Sequence, residues 1–169
     1  MMHFTKFKNA KDLYGILDDD MWNLDETGFQ IGVGGSQKII TVDPKRKNYV
    51  LDPDNRELVT ALATIGGNGR KIPPFIIFTG AQFLAKYVVP GLEGLGVSFS
   101  SIGFTDDNIG MDYIKHFDRF TASQRVGRYR MLISDGHGSH ETYEFRKYCW
   151  DNDIILFGFP PHSTHLLQF

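Results

Sequence analysis

The sequence predicts an α/β fold on a mixed sheet, an antiparallel meander followed by a β-α-β crossover. Three observations predict it. Leu58–Ile65 and Ile72–Phe78 are apolar runs joined by Gly66-Gly67-Asn68-Gly69, a hairpin signature. Tyr129–Ser134 and Ile154–Phe159 are nearly continuous apolar runs, the pattern of parallel strands buried on both faces. Between and before those two runs the apolar spacing changes to the helical period.

Taken in order, residues 1–20 read as a short helix or arm ending in Asp18-Asp19-Asp20. Met21 to Ile31 reads as a first strand, with Trp22 and Leu24 on one face and Asn23, Asp25 and Thr27 on the other. Gly32, Gly34 and Gly35 mark a turn into a strand at Lys38–Val42. No helix follows them, so they lack the dipole of a phosphate-binding glycine loop, and a hairpin turn is the better reading. A polar stretch from Asp43 to Glu57 contains the turn signal Asp52-Pro53-Asp54-Asn55 and leads into the hairpin above.

Thr79 to Gly103 is glycine-rich and carries no clear period. Thr105 is placed to cap a helix from about Asp107 to Thr121, with Ile109, Tyr113, Phe117 and Phe120 on one stripe. Strand Tyr129–Ser134, helix Ser139–Asn152 and strand Ile154–Phe159 then form a right-handed crossover. Meander, helix, then strand-helix-strand is the order of a ribonuclease-H-like fold, in which a final helix would follow the last strand. In this reading that helix is expected to be missing here.

A chain of 169 residues with 41% apolar residues suits one domain with a full core. A net charge of −2 gives no global attraction to nucleic acid, so any such binding must rest on local basic clusters. The single Cys149 excludes an internal disulfide framework. The first residues lack a signal-peptide apolar stretch, and no apolar run approaches the roughly 20 residues of a membrane span. A soluble intracellular protein is expected.

Two aspartates stand where chemistry concentrates. Asp25 lies in Asn23-Leu24-Asp25-Glu26-Thr27-Gly28-Phe29, and Asp135 ends the run Met131-Leu132-Ile133-Ser134-Asp135. Open α/β sheets place their sites at the carboxyl ends of strands. Acids converging there from distant positions make an oxygen-rich site for Mg2+. The same two residues also read as structural acids capping turns at strand ends.

With these motifs the chain resembles the DDE superfamily endonuclease domain of pogo-type transposases, in the mariner-like superfamily. Tyr14-Gly15-Ile16, the Asn23–Phe29 segment, Asn55-Arg56-Glu57 with Val59-Thr60, and Pro73-Pro74 with Ile76-Ile77-Phe78-Thr79-Gly80 carry the resemblance. Gly103-Phe104-Thr105, Phe117-Asp118 and Gly127-Arg128-Tyr129-Arg130 continue it. It closes on Leu132-Ile133-Ser134-Asp135-Gly136-His137-Gly138-Ser139-His140 and Pro160-Pro161-His162-Ser163-Thr164-His165-Leu166-Leu167-Gln168, so that roughly residues 12–168 match in order.

The resemblance implies a nuclear cut-and-paste transposase core with two Mg2+ or Mn2+ ions. It acts on transposon-end and target DNA, with other transposase subunits as partners and no membrane or small-molecule substrate. It implies that Asp25 and Asp135 are the first two catalytic acids and metal ligands. In the family, Leu-Leu-Gln is followed by Pro-Leu-Asp, whose aspartate is the third acid; here Phe169 stands in place of the proline and is the last residue. The domain, residues 21–169, is therefore expected to be incomplete at its C-terminus. Two divalent ions about 4 Å apart repel by roughly 17 kcal/mol at an effective dielectric of ~20, so two carboxylates are expected to hold a single ion weakly at most. Such a chain reads equally as a non-cutting nucleic-acid-binding module or a transposon remnant. Without the closing helix the sheet around Phe157 and Phe159 is expected to be partly uncovered and the isolated chain only marginally stable.

His137, His140, His162 and His165 are spaced like a four-histidine zinc site, but structural zinc usually draws on cysteine and only Cys149 is present. They read better as the rim of the active site. Lys45, Arg46 and Lys47, and Arg125, Arg128 and Arg130, are basic clusters that fit either DNA-backbone contacts or solvated loops.

Overall fold

The structure, a computed structural model, describes residues 2–31, 57–80, 94–101, 103, 106–134 and 142–158. Its elements are α1 (Met2–Tyr14), β1 (Met21–Ile31), β2 (Glu57–Gly66), β3 (Phe75–Thr79), β4 (Gly96–Ser100), α2 (Asp107–Thr121), β5 (Arg130–Ser134), α3 (Tyr143–Asp151) and β6 (Ile154–Gly158). The strands form one sheet in the order β4-β3-β2-β1-β5-β6. β1, β2 and β3 are antiparallel neighbours, with Asp25 opposite Ala63 and Val59 opposite Phe78. β5 joins β1 in parallel and β6 joins β5 in parallel. This is the mixed sheet the sequence predicts, in a ribonuclease-H-like arrangement. The strand expected at Lys38–Val42 lies outside the described residues.

β4 is an addition. Its five residues pair in parallel with β3, from Phe75 opposite Gly96 to Thr79 opposite Ser100. Gly96 permits this pairing at close quarters: a Cβ there would stand 2.2 Å from a Phe75 ring carbon and 2.9 Å from His116 Nδ1.

The alternation of β1 divides the core in two. Trp22 and Leu24 join Leu62, Phe75, Ile77, Leu132 and Ile154 on one face. That face is covered by Ile109, Tyr113, Ile114 and Phe117 of α2 and by Phe145 and Cys149 of α3. Each such fully buried apolar side chain contributes roughly 1.5–3 kcal/mol. α2 begins where the Asp106 carboxylate accepts from Ile109 N at 2.9 Å, so the cap is Asp106. Thr105, the expected cap, lies outside the described residues. α3 is capped by Thr142, whose Oγ1 accepts from Phe145 N.

The second face carries Met21, Met131, Ile133 and Ile155, and α1 lies against it through Phe7, Ala10 and Tyr14. α1 ends at Gly15, whose φ of +61° turns the chain. Ile16 N then reaches Lys11 O at 3.0 Å and Gly15 N reaches Asp12 O, a helix stop of the Schellman type. The N-terminal arm is thus a packed helix. Its Phe7 half-covers Phe157, part of the surface expected to lie open; Phe159 is outside the described residues.

Candidate functional site

Asp25 lies midway along β1, on the same face as Met21 and Asn23 and toward the carboxyl end of its pairing with β5. Its side chain is half-buried. The residue opposite it on β2 is Ala63, whose small side chain leaves space above the sheet. A hollow of about 210 Å3 results, lined by Asp25, Asn23, Met21, Ala63, Ile65 and Ile133 among others. Among the described residues, the Asp25 carboxylate has no hydrogen-bond or ion-pair partner. A half-buried oxygen ligand facing a hollow, with no cation among the described residues competing for it, suits a divalent metal ion. Glu26 pairs opposite Leu62, on the other face of the sheet, and does not join Asp25 there.

β5 is the strand that precedes Asp135. Its described pairing with β1 runs Met21 to Met131, Trp22 to Leu132 and Asn23 to Ile133. Asp135 itself lies outside the described residues, as do His137, His140, His162, His165, Lys45, Arg46 and Lys47. Among the described residues, no three His, Cys, Asp or Glu side chains converge as a metal site. Cys149 is turned into the core beneath α3, where burial pushes its thiol up to about 12.

The predicted basic cluster divides. Arg125 and Arg128 are exposed, and each approaches the Asp153 carboxylate at 3.4 Å. They precede β5, at the end of the strand remote from Ser134. Five strand residues span roughly 16 Å, so these two arginines and Asp25 do not share one site. Arg130 corrects the expectation of a third surface cation: it is 1% exposed. Its guanidinium donates to Asp118 Oδ1 at 2.7 Å, Thr121 Oγ1 at 2.8 Å and Asn152 O at 2.7 Å. Those three partners come from α2 and the end of α3, so Arg130 fastens the start of β5 to both helices.

Asp20 is a second buried charge that the sequence did not single out. Fully buried, it accepts from Val126 N at 2.9 Å and Gly127 N at 2.6 Å, joining the start of β1 to the loop before β5. Nothing local marks it, because Asp18-Asp19-Asp20 reads as a solvated acidic run. His116 was likewise unmarked. Its Nε2 donates to Pro73 O at 2.7 Å, and desolvation holds its pKa below the usual histidine value against the opposing pull of that bond, with Arg119 adding to the depression.

The sequence model of the DDE superfamily endonuclease family matches residues 55–169. A curated relative named "MFS-type transporter clz9", from Cochliobolus lunatus, is 36% identical over 164 residues, which are 96% of this chain and 18% of that protein. The chain therefore spans less than a fifth of that relative's length. Among the described residues no helix is long and apolar enough to cross a membrane. Among solved structures, the Mos1 transposase paired-end complex with left transposon end superposes with a TM-score of 0.54 at 12% identity, over 95% of this chain and 41% of that one. The Mos1 mariner paired-end complex with Mn gives 0.51 at 12% identity, over 95% and 42%. These likenesses carry the fold, and the family match carries the lineage: the chain belongs to the DDE superfamily endonuclease family.

Proposed function

We propose that this chain is the nuclease core of a transposase-type DNA-cleaving protein, with Asp25 and Asp135 as carboxylate ligands of a divalent ion. The parallel pairing of β1 with β5 is the observation that carries it. Asn23 faces Ile133 in that register, and each aspartate follows its member of the pair by the same two residues. Strands with that register suit two acids that act together. The hollow beside Asp25 and the absence of a described partner for its carboxylate support the same reading.

A bound Mg2+ or Mn2+ would supply Lewis-acid polarisation of the scissile phosphate and a more acidic water. The chain's own residues hold the carboxylate in place: Trp22 and Leu24, either side of Asn23, are locked in the core, and Asp25 extends from that rigid segment. The four histidines of the Asp135 and Pro160 segments complete the rim in this reading. Arg125 and Arg128, at the far end of β5, would contact DNA backbone away from the cleavage point.

The test is nicking of supercoiled DNA with Mg2+ or Mn2+, beside calorimetric titration of Mn2+. Nicking and Mn2+ binding that both disappear in Asp25→Asn and in Asp135→Asn support the proposal. Salt-sensitive DNA binding with no metal-dependent nicking would overturn it in favour of a non-cutting binding module.

A further inference from the structure

Helix α3 presents a surface that neither the core nor the proposed metal site uses. Its inner side is Phe145 and Cys149, both in the core. At about 100° per residue, Tyr143, Arg146 and Trp150 fall within an arc of about 60° on the outer side. Tyr143 is 75% exposed and Trp150 63%, and Arg146 is exposed between them. Lys147 stands next to this stripe, paired with Asp151. Glu144 and Asp151 lie on the opposite flank, the side on which Tyr148 reaches Asp118 of α2. Among the residues of α3 the aromatic stripe thus contains a cation and no acid, and it faces away from α2.

We propose that the Tyr143–Arg146–Trp150 face of α3 binds single-stranded nucleic acid. Two large aromatics exposed on one stripe of a helix and bracketing an arginine match how unpaired bases are held: π-faces stack on the rings while the cation meets phosphate. Tyr143 and Trp150 are about 10 Å apart along the helix axis, a span of a few nucleotides. Duplex DNA keeps its base faces covered, so it could offer this face its phosphates but not the stacking. The choice of nucleic acid as ligand rests on the proposed nuclease reading; the surface itself does not.

The chain has two tryptophans, and Trp22 is 1% exposed, so an added ligand reaches only Trp150 from solvent. The test titrates the full chain, without metal, with a short single-stranded oligonucleotide and with the matching duplex while reading tryptophan emission. The expected result is quenching by the single strand, lost in Trp150→Phe, with affinity at least about five-fold weaker in Tyr143→Ala. Arg146→Gln should flatten the salt dependence by about 0.7 in log–log slope. Duplex quenching equal to that of the single strand would overturn the assignment. So would emission that ignores oligonucleotide but changes with protein concentration, the sign of a protein-binding face. Metal-dependent nicking by the parent chain, measured beside the titration, separates a failure here from a failure of the nuclease reading.

Discussion

Phe7 of α1 meets Phe157 of β6 edge to face, with ring centroids 5.3 Å apart and planes at 77°. This contact joins the first helix to the last described strand, and with Ala10 and Tyr14 it makes α1 a cover for the second face of the sheet. Because both rings are only half-buried, Phe7→Ala should cost about 1–3 kcal/mol. For a chain of this size that is a fall in Tm of roughly 2–12 °C. Phe4, 65% exposed on the same helix, is the control, and Phe4→Ala should leave Tm within about 2 °C. Scanning calorimetry of the two variants decides whether α1 is part of the cooperative unit.

The Arg130–Asp118 pair predicts a larger effect. Arg130 is almost wholly buried and Asp118 one-fifth exposed, so the arginine has no access to compensating water while the aspartate keeps some. Arg130→Ala should cost roughly 3–5 kcal/mol, and Asp118→Asn, which strands the buried guanidinium without its counter-charge, should cost at least as much. Lysine cannot replace a fork that reaches three acceptors on two helices, so Arg130→Lys should recover under half of the loss. Urea unfolding of the three variants gives the order.

Gly96 predicts overpacking. A methyl group there meets the Phe75 ring and His116 before anything flexible can yield, so Gly96→Ala should destabilise by about 1–3 kcal/mol. The loss should be concentrated in β4, which among the described strands pairs with β3 alone. Amide hydrogen exchange should therefore quicken across Gly96–Ser100 before β1 or β5 responds.

His116 gives a pH dependence of definite sign. Its folded pKa lies below the usual value because burial disfavours the imidazolium, and a second proton on Nδ1 would face Gly96. Above about pH 6.5 neither folded nor unfolded chain binds that proton and the residue contributes no slope. As pH falls below about 6.5 the unfolded state takes up the proton first, so stability declines, levelling off once pH passes the folded pKa. His116→Gln keeps a donor for Pro73 O and removes the titration. The difference in urea midpoint between the wild type and this variant should shift against the wild type from pH 7.5 to pH 5.5.

The strands were legible where a period or a turn marks them locally. Trp22-Asn23-Leu24-Asp25 alternates at the start of β1, and the hairpin of β2 and β3 is announced by its glycines. β4 was not legible, because Val97 and Phe99 alternate with Gly96, Ser98 and Ser100 over only five residues within a glycine-rich stretch, and the strand state rests on pairing with distant β3. Asp25 was legible from its strand position and motif, but the small Ala63 that opens space beside it comes from a register that no single segment encodes. Arg130 misled for the same reason. In sequence it is one more cation after Arg125 and Arg128, and only tertiary packing brings Asp118, Thr121 and Asn152 around it.

Ala63 offers a test in which stability and metal binding should move in opposite directions. It is exposed and sits directly opposite Asp25, so Ala63→Lys places an ammonium across the strand pair without disturbing the core. A cross-strand pair of opposite charges contributes roughly 0.2–1 kcal/mol, so the variant should be as stable as the parent or slightly more so. The same ammonium opposes a divalent ion on Asp25. At a separation of ~5 Å and an effective dielectric of ~20 the repulsion is roughly 6–7 kcal/mol, and even after solvent screening at this half-open site Mn2+ affinity should fall at least tenfold. Ala63→Ser, similar in size and uncharged, should keep the parent's affinity. Unchanged Mn2+ binding in Ala63→Lys would mean that the metal does not use Asp25, however well the strand geometry suits it.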